Sequence, residues 1–229
     1  MVGPLARLVL ANAIYFLATW YKPFPTPASN LTFNVNSQTQ IEIPIMSMRD
    51  IFKYGVFDDL DCKVLEMFYE GGGEFSFVIF LPNKIEGLSA LLEKLLEPDS
   101  LLNAYNRLTN EDVSILIPKI KTDSTLKLAD YLRPAKVTDL FIQEKCKLNN
   151  ILEKFEVLFV KDDAAVQKAF IEVNEVGTEA AAATVVGGGS GGGAPSLPEN
   201  TFYATSPFAF YLFKEKTPIF CGTFTGVTG

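Results

Sequence analysis

What most constrains the architecture of this chain is a glycine run, Gly187-Gly188-Gly189-Ser190-Gly191-Gly192-Gly193, with only residues 194–229 beyond it. The run has the composition of a tether. Beyond it Phe208–Phe213 and Ile219–Phe224 read as two strands, separated by the charged turn Lys214-Glu215-Lys216. Two strands alone do not make a stable sheet in water, so their partners must lie earlier in the chain. The run is therefore read as a loop within one domain covering 1–229. A tether between two folded pieces and a laboratory-made linker are the alternatives.

The preceding residues supply such partners. Leu8–Phe16 (LVLANAIYF) is nearly all apolar without a helical stripe, which predicts a strand buried on both faces. The same apolar run after Arg7 has the look of a signal peptide; the strand reading is preferred. Thr32–Asn36 and Ile41–Met46 alternate over short stretches. Glu74–Leu81 (EFSFVIFL) is a stronger strand, entered from Gly71-Gly72-Gly73 and ended by Pro82-Asn83. Gly87–Leu95 predicts an amphipathic helix with Leu88, Leu91, Leu92 and Leu95 on one face. Val113–Ile120 reads as a strand whose Pro118 marks an edge or a bulge. Leu126–Leu132 reads as a short helix stopped near Pro134. Val166–Glu175 alternates, with Val166, Ala169, Ile171 and Val173 its apolar members. Many short strands and few short helices make an α+β chain, and no run approaches the ~20 apolar residues of a membrane-spanning helix.

Composition removes several functions. There is no histidine, which excludes Ser-His-Asp and Cys-His catalysis and histidine-ligated zinc within these residues. The net charge of −7, without a Lys/Arg cluster, argues against nucleic acid as a partner. Cys62, Cys146 and Cys221 fit no metal spacing, and their odd number leaves at least one thiol free. Neither glycine-rich stretch is followed by the Lys-Ser/Thr of a phosphate loop. No cofactor and no metal is expected, and an inhibitor is favoured over an enzyme.

One segment carries function. Glu175-Val176-Gly177-Thr178-Glu179-Ala180-Ala181-Ala182-Ala183-Thr184 continues a strand through a glycine into small residues. Four alanines favour a short surface helix. A segment that slides between two strands needs the same composition for a different reason. Its buried face must be small, and it must lack proline because every N–H joins the ladder. Thr178, Ala180, Ala182 and Thr184 would then face inward, Glu179, Ala181 and Ala183 outward, with Gly177 as hinge.

NEVGTEAAAAT closely resembles the hinge motif of inhibitory serpins, whose loop insertion is a general example of strand addition. Further segments resemble the family in order along the chain. They are LVLANAIYF with Trp20 and Pro23-Phe24, then Pro44-Ile45-Met46-Ser47-Met48, Phe80-Leu81-Pro82-Asn83, Ile117-Pro118-Lys119-Ile120, and Pro207-Phe208 through Phe224. The resemblance implies an incomplete serpin fold of mixed β-sheets, short helices and an exposed reactive loop at about 177–198. The family's N-terminal helices are missing, so the first strand loses a neighbour. Trp20 falls in the breach and Asn12 in the shutter, where Gln167 replaces the family's usual histidine and removes a pH-sensitive group.

The resemblance further implies inhibition of a serine-type endopeptidase by loop cleavage, covalent trapping and insertion. Counting from Gly177 places the scissile bond at Gly191–Gly192. Alignment on Val-Val-Gly, as in squamous-cell-carcinoma-antigen-type members, places it at Ser190–Gly191. Gly and Ser at these positions disfavour trypsin-like targets and favour elastase-like serine or papain-like cysteine proteases. The protein is expected to be a monomer that binds no membrane. Asn30-Leu31-Thr32 is a glycosylation acceptor pattern that tilts the expectation toward an extracellular over a cytoplasmic site. The rival reading is a truncated or non-inhibitory serpin-fold protein, and these residues alone are not expected to fold as an inhibitor.

Overall fold

The computed structural model describes residues 8–25, 27–147, 159–178 and 200–226, and the chain divides into two compact units. One comprises residues 1–16 and 122–171, the other 17–121 and 172–229.

The first unit holds most of a three-stranded sheet in the order β1 (Leu10–Tyr15), β9 (Ala165–Val173), β8 (Ile120–Lys127). β1 and β9 run parallel, from Leu10↔Ala165 to Tyr15↔Phe170. A small core joins Ala129 of α3 (Leu128–Leu132) to Phe141, Val160, Ala164 and Ala165. The expected burial of Leu8–Phe16 on both faces is not found. Leu10 and Tyr15 are exposed, and β1 is an edge strand with β9 as its one partner among the described residues. That open edge agrees with the expected loss of a neighbour. In β9 the buried positions are Ala165, Ala169, Ile171 and Val173. Val166 falls on the opposite face.

The second unit is built on an eight-stranded sheet. Its order is β11 (Asn200–Tyr203), β7 (Thr109–Pro118), β4 (Gln40–Phe57), β5 (Cys62–Phe68), β6 (Phe75–Pro82), β12 (Phe208–Lys214), β13 (Thr217–Phe224). β3 (Ser29–Asn34) pairs with the other end of β4. The strands after the glycine run thus find their partners far back in the chain, β11 on β7 and β12 on β6. Phe57, Cys62, Val64, Val78 and Phe80 form a core with Leu91 and Leu95 of α1 (Leu88–Leu95) and Ala104 of α2 (Ser100–Asn106). α1 buries the leucine stripe that its spacing predicts.

Three elements exceed or escape the periodicity. β4 runs through Phe57, well past Met46, although Arg49, Asp50 and Lys53 interrupt its apolar pattern. Cross-strand pairing absorbs that charge, as in Arg49 Nη2 to Asp112 Oδ2 of β7 at 2.6 Å. β5 carries Lys63 and Glu66, which find partners in Thr201 O at 3.2 Å and Tyr105 Oη–H at 2.8 Å, and α2 is short and asparagine-rich. Pro118 is an edge residue as expected, since β11 covers β7 only over Val113–Leu116. Gly71, Gly72 and Gly73 all take positive φ, which opens the β5–β6 turn.

Candidate functional site

Trp20, Glu175 and Gly177 meet in the second unit. β9 ends at Val173, and Glu175 and Val176 do not extend it. The chain turns over Asn174–Gly177 and re-enters a two-residue strand, β10 (Gly177–Thr178), antiparallel to β2 (Ala18–Thr19). The turn is held by Asn174, whose Oδ1 accepts from Val176 N–H at 3.0 Å and Gly177 N–H at 3.2 Å. Asn174 N–H in turn donates to Gly177 O at 2.8 Å. Such side-chain-to-backbone bonds are what asparagine supplies in turns.

Trp20 locks the turn from the side. It is 1% exposed, stacks on Tyr69 with centroids 4.3 Å apart, and meets Phe77 edge-on. Its Nε1–H donates to Asn174 O at 2.8 Å, and its backbone N–H to Val176 O at 2.8 Å. Phe24 N–H adds a third bond, to Glu175 O at 2.8 Å. Both strand ends are thereby pinned by groups that would otherwise be buried without partners.

Glu175 holds the base of the turn with its carboxylate. Oε1 accepts from Ala28 N–H at 2.8 Å, and Oε2 is 2.8 Å from Lys119 Nζ. Burial works against ionisation, but the bonds from Lys119 and Ala28 outweigh it and hold the carboxyl below the usual glutamate range. Lys121 and Glu172 form a second, more exposed pair at 3.1 Å. Gly177 is required by close approach as well as by its backbone conformation. Its φ is 153°, and a Cβ there would lie 2.2 Å from Ala18 O and 2.7 Å from Thr19 Cα.

The other sequence-predicted residues lie apart. Asn12 and Gln167 face each other across β1 and β9 in the first unit, and Asn12 Nδ2 donates to Gln167 Oε1 at 3.1 Å. Asn30 is exposed on β3, and Thr32 Oγ1 donates to Glu42 Oε1 at 2.7 Å. Thr178 contributes backbone to β10. Glu179, Ala180, Ala181, Ala182, Ala183, Thr184, Ser190, Gly191 and Gly192 lie outside the described residues. Sequence reasoning missed the work of Asn174, Ala28 and Lys119. Asn174 was legible as a turn former before Gly177; nothing local marked the other two as partners of Glu175.

A family model described as Serpin (serine protease inhibitor) matches residues 1–226. The chain belongs to the serpin family. Alaserpin of Manduca sexta is 41% identical over 176 residues, which is 76% of this serpin and 44% of alaserpin. Leukocyte elastase inhibitor of Homo sapiens is 35% identical over 233 residues, 98% of this chain and 60% of that protein. The crystal structure of Serpin48 from Tenebrio molitor superposes with a TM-score of 0.83 at 32% identity, covering 99% of this chain and 58% of Serpin48. The fold is accordingly a serpin fold, and the chain spans about half the length of the serpins it matches.

Proposed function

We propose that this serpin takes part in the inhibition of serine-type endopeptidases through a reactive loop at about 177–198, within a single domain that includes residues 1–229. The observation that carries the reading is the anchoring of the Asn174–Gly177 turn, with Glu175 held by Lys119 and Ala28, Asn174 and Val176 by Trp20, and Gly177 paired with Thr19. It supplies a fixed base from which a segment of small residues departs. In this mechanism the hydroxyl oxygen of the protease serine attacks the carbonyl carbon at Ser190–Gly191 or Gly191–Gly192. The peptide C–N bond breaks, the new amino terminus leaves, and the acyl ester is retained as the loop enters the sheet. Each ladder bond contributes only ~1 kcal/mol net, but an inserted strand makes many together. Elastase-like serine proteases fit the small residues at the loop, and papain-like cysteine proteases are a second target class. Asn12 and Gln167 act at the shutter, with no histidine to titrate there.

The test is a gel that separates a covalent complex from cleaved loop. Incubation of the complete polypeptide that contains these residues with an elastase-like protease should give a complex that survives denaturation. Ala182→Arg, which places a charge on the inserting face, should abolish that complex while loop cleavage continues. Cleavage without any complex in the unaltered protein would refute the reading.

One observation favours a non-inhibitory serpin: β1 leaves an apolar edge open among the described residues, where a trapping sheet needs a continuous scaffold. Cleavage without a complex is the result that this rival expects. We place the protein outside the cell, on the exposure of Asn30 in its acceptor triplet. A mass shift on enzymatic deglycosylation, lost in Asn30→Gln, checks it; cytoplasmic residence predicts no shift.

A further inference from the structure

β4 and β5 pair only from Lys53↔Glu66 to Phe57↔Cys62. Beyond Lys53 and Glu66 they part. β4 continues along β7 as far as Ile45↔Pro118, while β5 continues along β6 to Phe68↔Ser76. A fork of this kind opens a wedge that no ladder bond fills. Tyr21 N–H reaches across to Phe68 O at 2.9 Å, and the space left over is a cleft of about 240 Å³.

The cleft has walls of two kinds. Trp20, Tyr21, Phe52 and Phe68 are its aromatic members. At the apex of the fork, Asn110, Lys53 and Glu66 stand side by side as cross-strand neighbours on β7, β4 and β5. Glu66 is 3% exposed and accepts from Tyr105 Oη–H at 2.8 Å, so its carboxylate is already occupied. Lys22 at the rim is held by Asp50 at 2.6 Å. Lys53 is half-buried; its ammonium acts electrostatically on the neighbouring Glu66 but makes no hydrogen bond or ion-pair contact among the described residues. An ammonium with three donors and no acceptor, at the closed end of an aromatic cleft, suits an anion carried on an apolar body.

We propose that this fork binds a small aromatic carboxylate, its ring among Phe52, Phe68 and Trp20 and its carboxylate on Lys53, with the Asn110 amide beside it. The volume falls below the ~300 Å³ at which drug-sized pockets begin, which selects one ring with a short acidic arm. The site is independent of the loop mechanism and stands or falls separately from it.

The test is calorimetric titration of 3-phenylpropionate into the complete polypeptide that contains these residues. Saturable binding to one site is expected. Lys53→Met should weaken it about tenfold or more, the effect of losing a charge-assisted hydrogen bond, and Asn110→Ala about threefold. Neutral 3-phenylpropanol should bind the unaltered protein about tenfold more weakly. This comparison needs no folded variant. Absence of saturable heat, equal affinity for acid and alcohol, or affinity unchanged in both variants would each overturn the proposal.

Discussion

At the scale of single residues, the turn over Asn174–Gly177 concentrates the strongest constraints. Gly177→Ala would drive a methyl into the Ala18 carbonyl, so backbone must move. We expect a loss of about 2–4 kcal/mol, read as a lowered urea midpoint with an unchanged slope. Glu175 sets an acid limit. Its folded pKa lies below the unfolded value of ~4.3, so its contribution is complete above that pH and is lost as pH falls through the folded pKa. Glu175→Gln should therefore flatten the decline in stability below about pH 5. An acid limb identical to that of the unaltered protein would contradict the assignment. Glu66 runs the other way. Burial pushes its carboxyl up, so its contribution is present at low pH and lost as pH rises, and Glu66→Gln should leave the acid limb in place.

At the scale of elements, α1 shows how a short helix is held. Its cap makes no side-chain hydrogen bond, and eight residues are too few to be helical alone. Leu91 and Leu95 bury against Val64, Val78 and Phe80, and that packing holds the helix. Leu91→Ala should cost about 2–4 kcal/mol in chemical unfolding. Leu96, one residue past the helix and 84% exposed, is the control, and Leu96→Ala should stay within about 0.5 kcal/mol. Equal effects at the two positions would mean that α1 does not dock as described. β1 makes the opposite case, an apolar strand left largely exposed, with β9 as its one partner among the described residues.

At the scale of the whole molecule, coverage decides what can be asked of the chain. It spans 44% of alaserpin and 60% of leukocyte elastase inhibitor. With β1 open at its edge, these 229 residues expressed by themselves should give no denaturation-resistant protease complex. The complete polypeptide should give one. An antibody to Asn174–Ser190 should detect in source material a band well above 25.2 kDa. A covalent complex recovered from the isolated chain would contradict the first expectation, and a native band at that mass the second.

The sequence by itself determined the class of the fold, the main strands and the presence of a glycine after β9. Periodicity is a local property, so EFSFVIFL and the leucines of α1 could be read without neighbours, and the serpin resemblance rested on short motifs in order. The need for glycine at position 177 was legible, but only half of its reason was. Its conformational freedom is intrinsic, whereas the approach of Ala18 and Thr19 is a fact of tertiary packing. The full lengths of β4 and β5 were hidden because charges such as Arg49 and Glu66 break a pattern that partners distant in sequence later satisfy, Asp112 on β7 and Tyr105 on α2. The exposure of β1 was hidden for the converse reason, since an apolar run specifies a strand but not what covers it. Only the folded chain brings Lys119, Ala28 and Trp20 to Glu175 and Asn174, because those contacts join residues distant in sequence, where no local spacing records them.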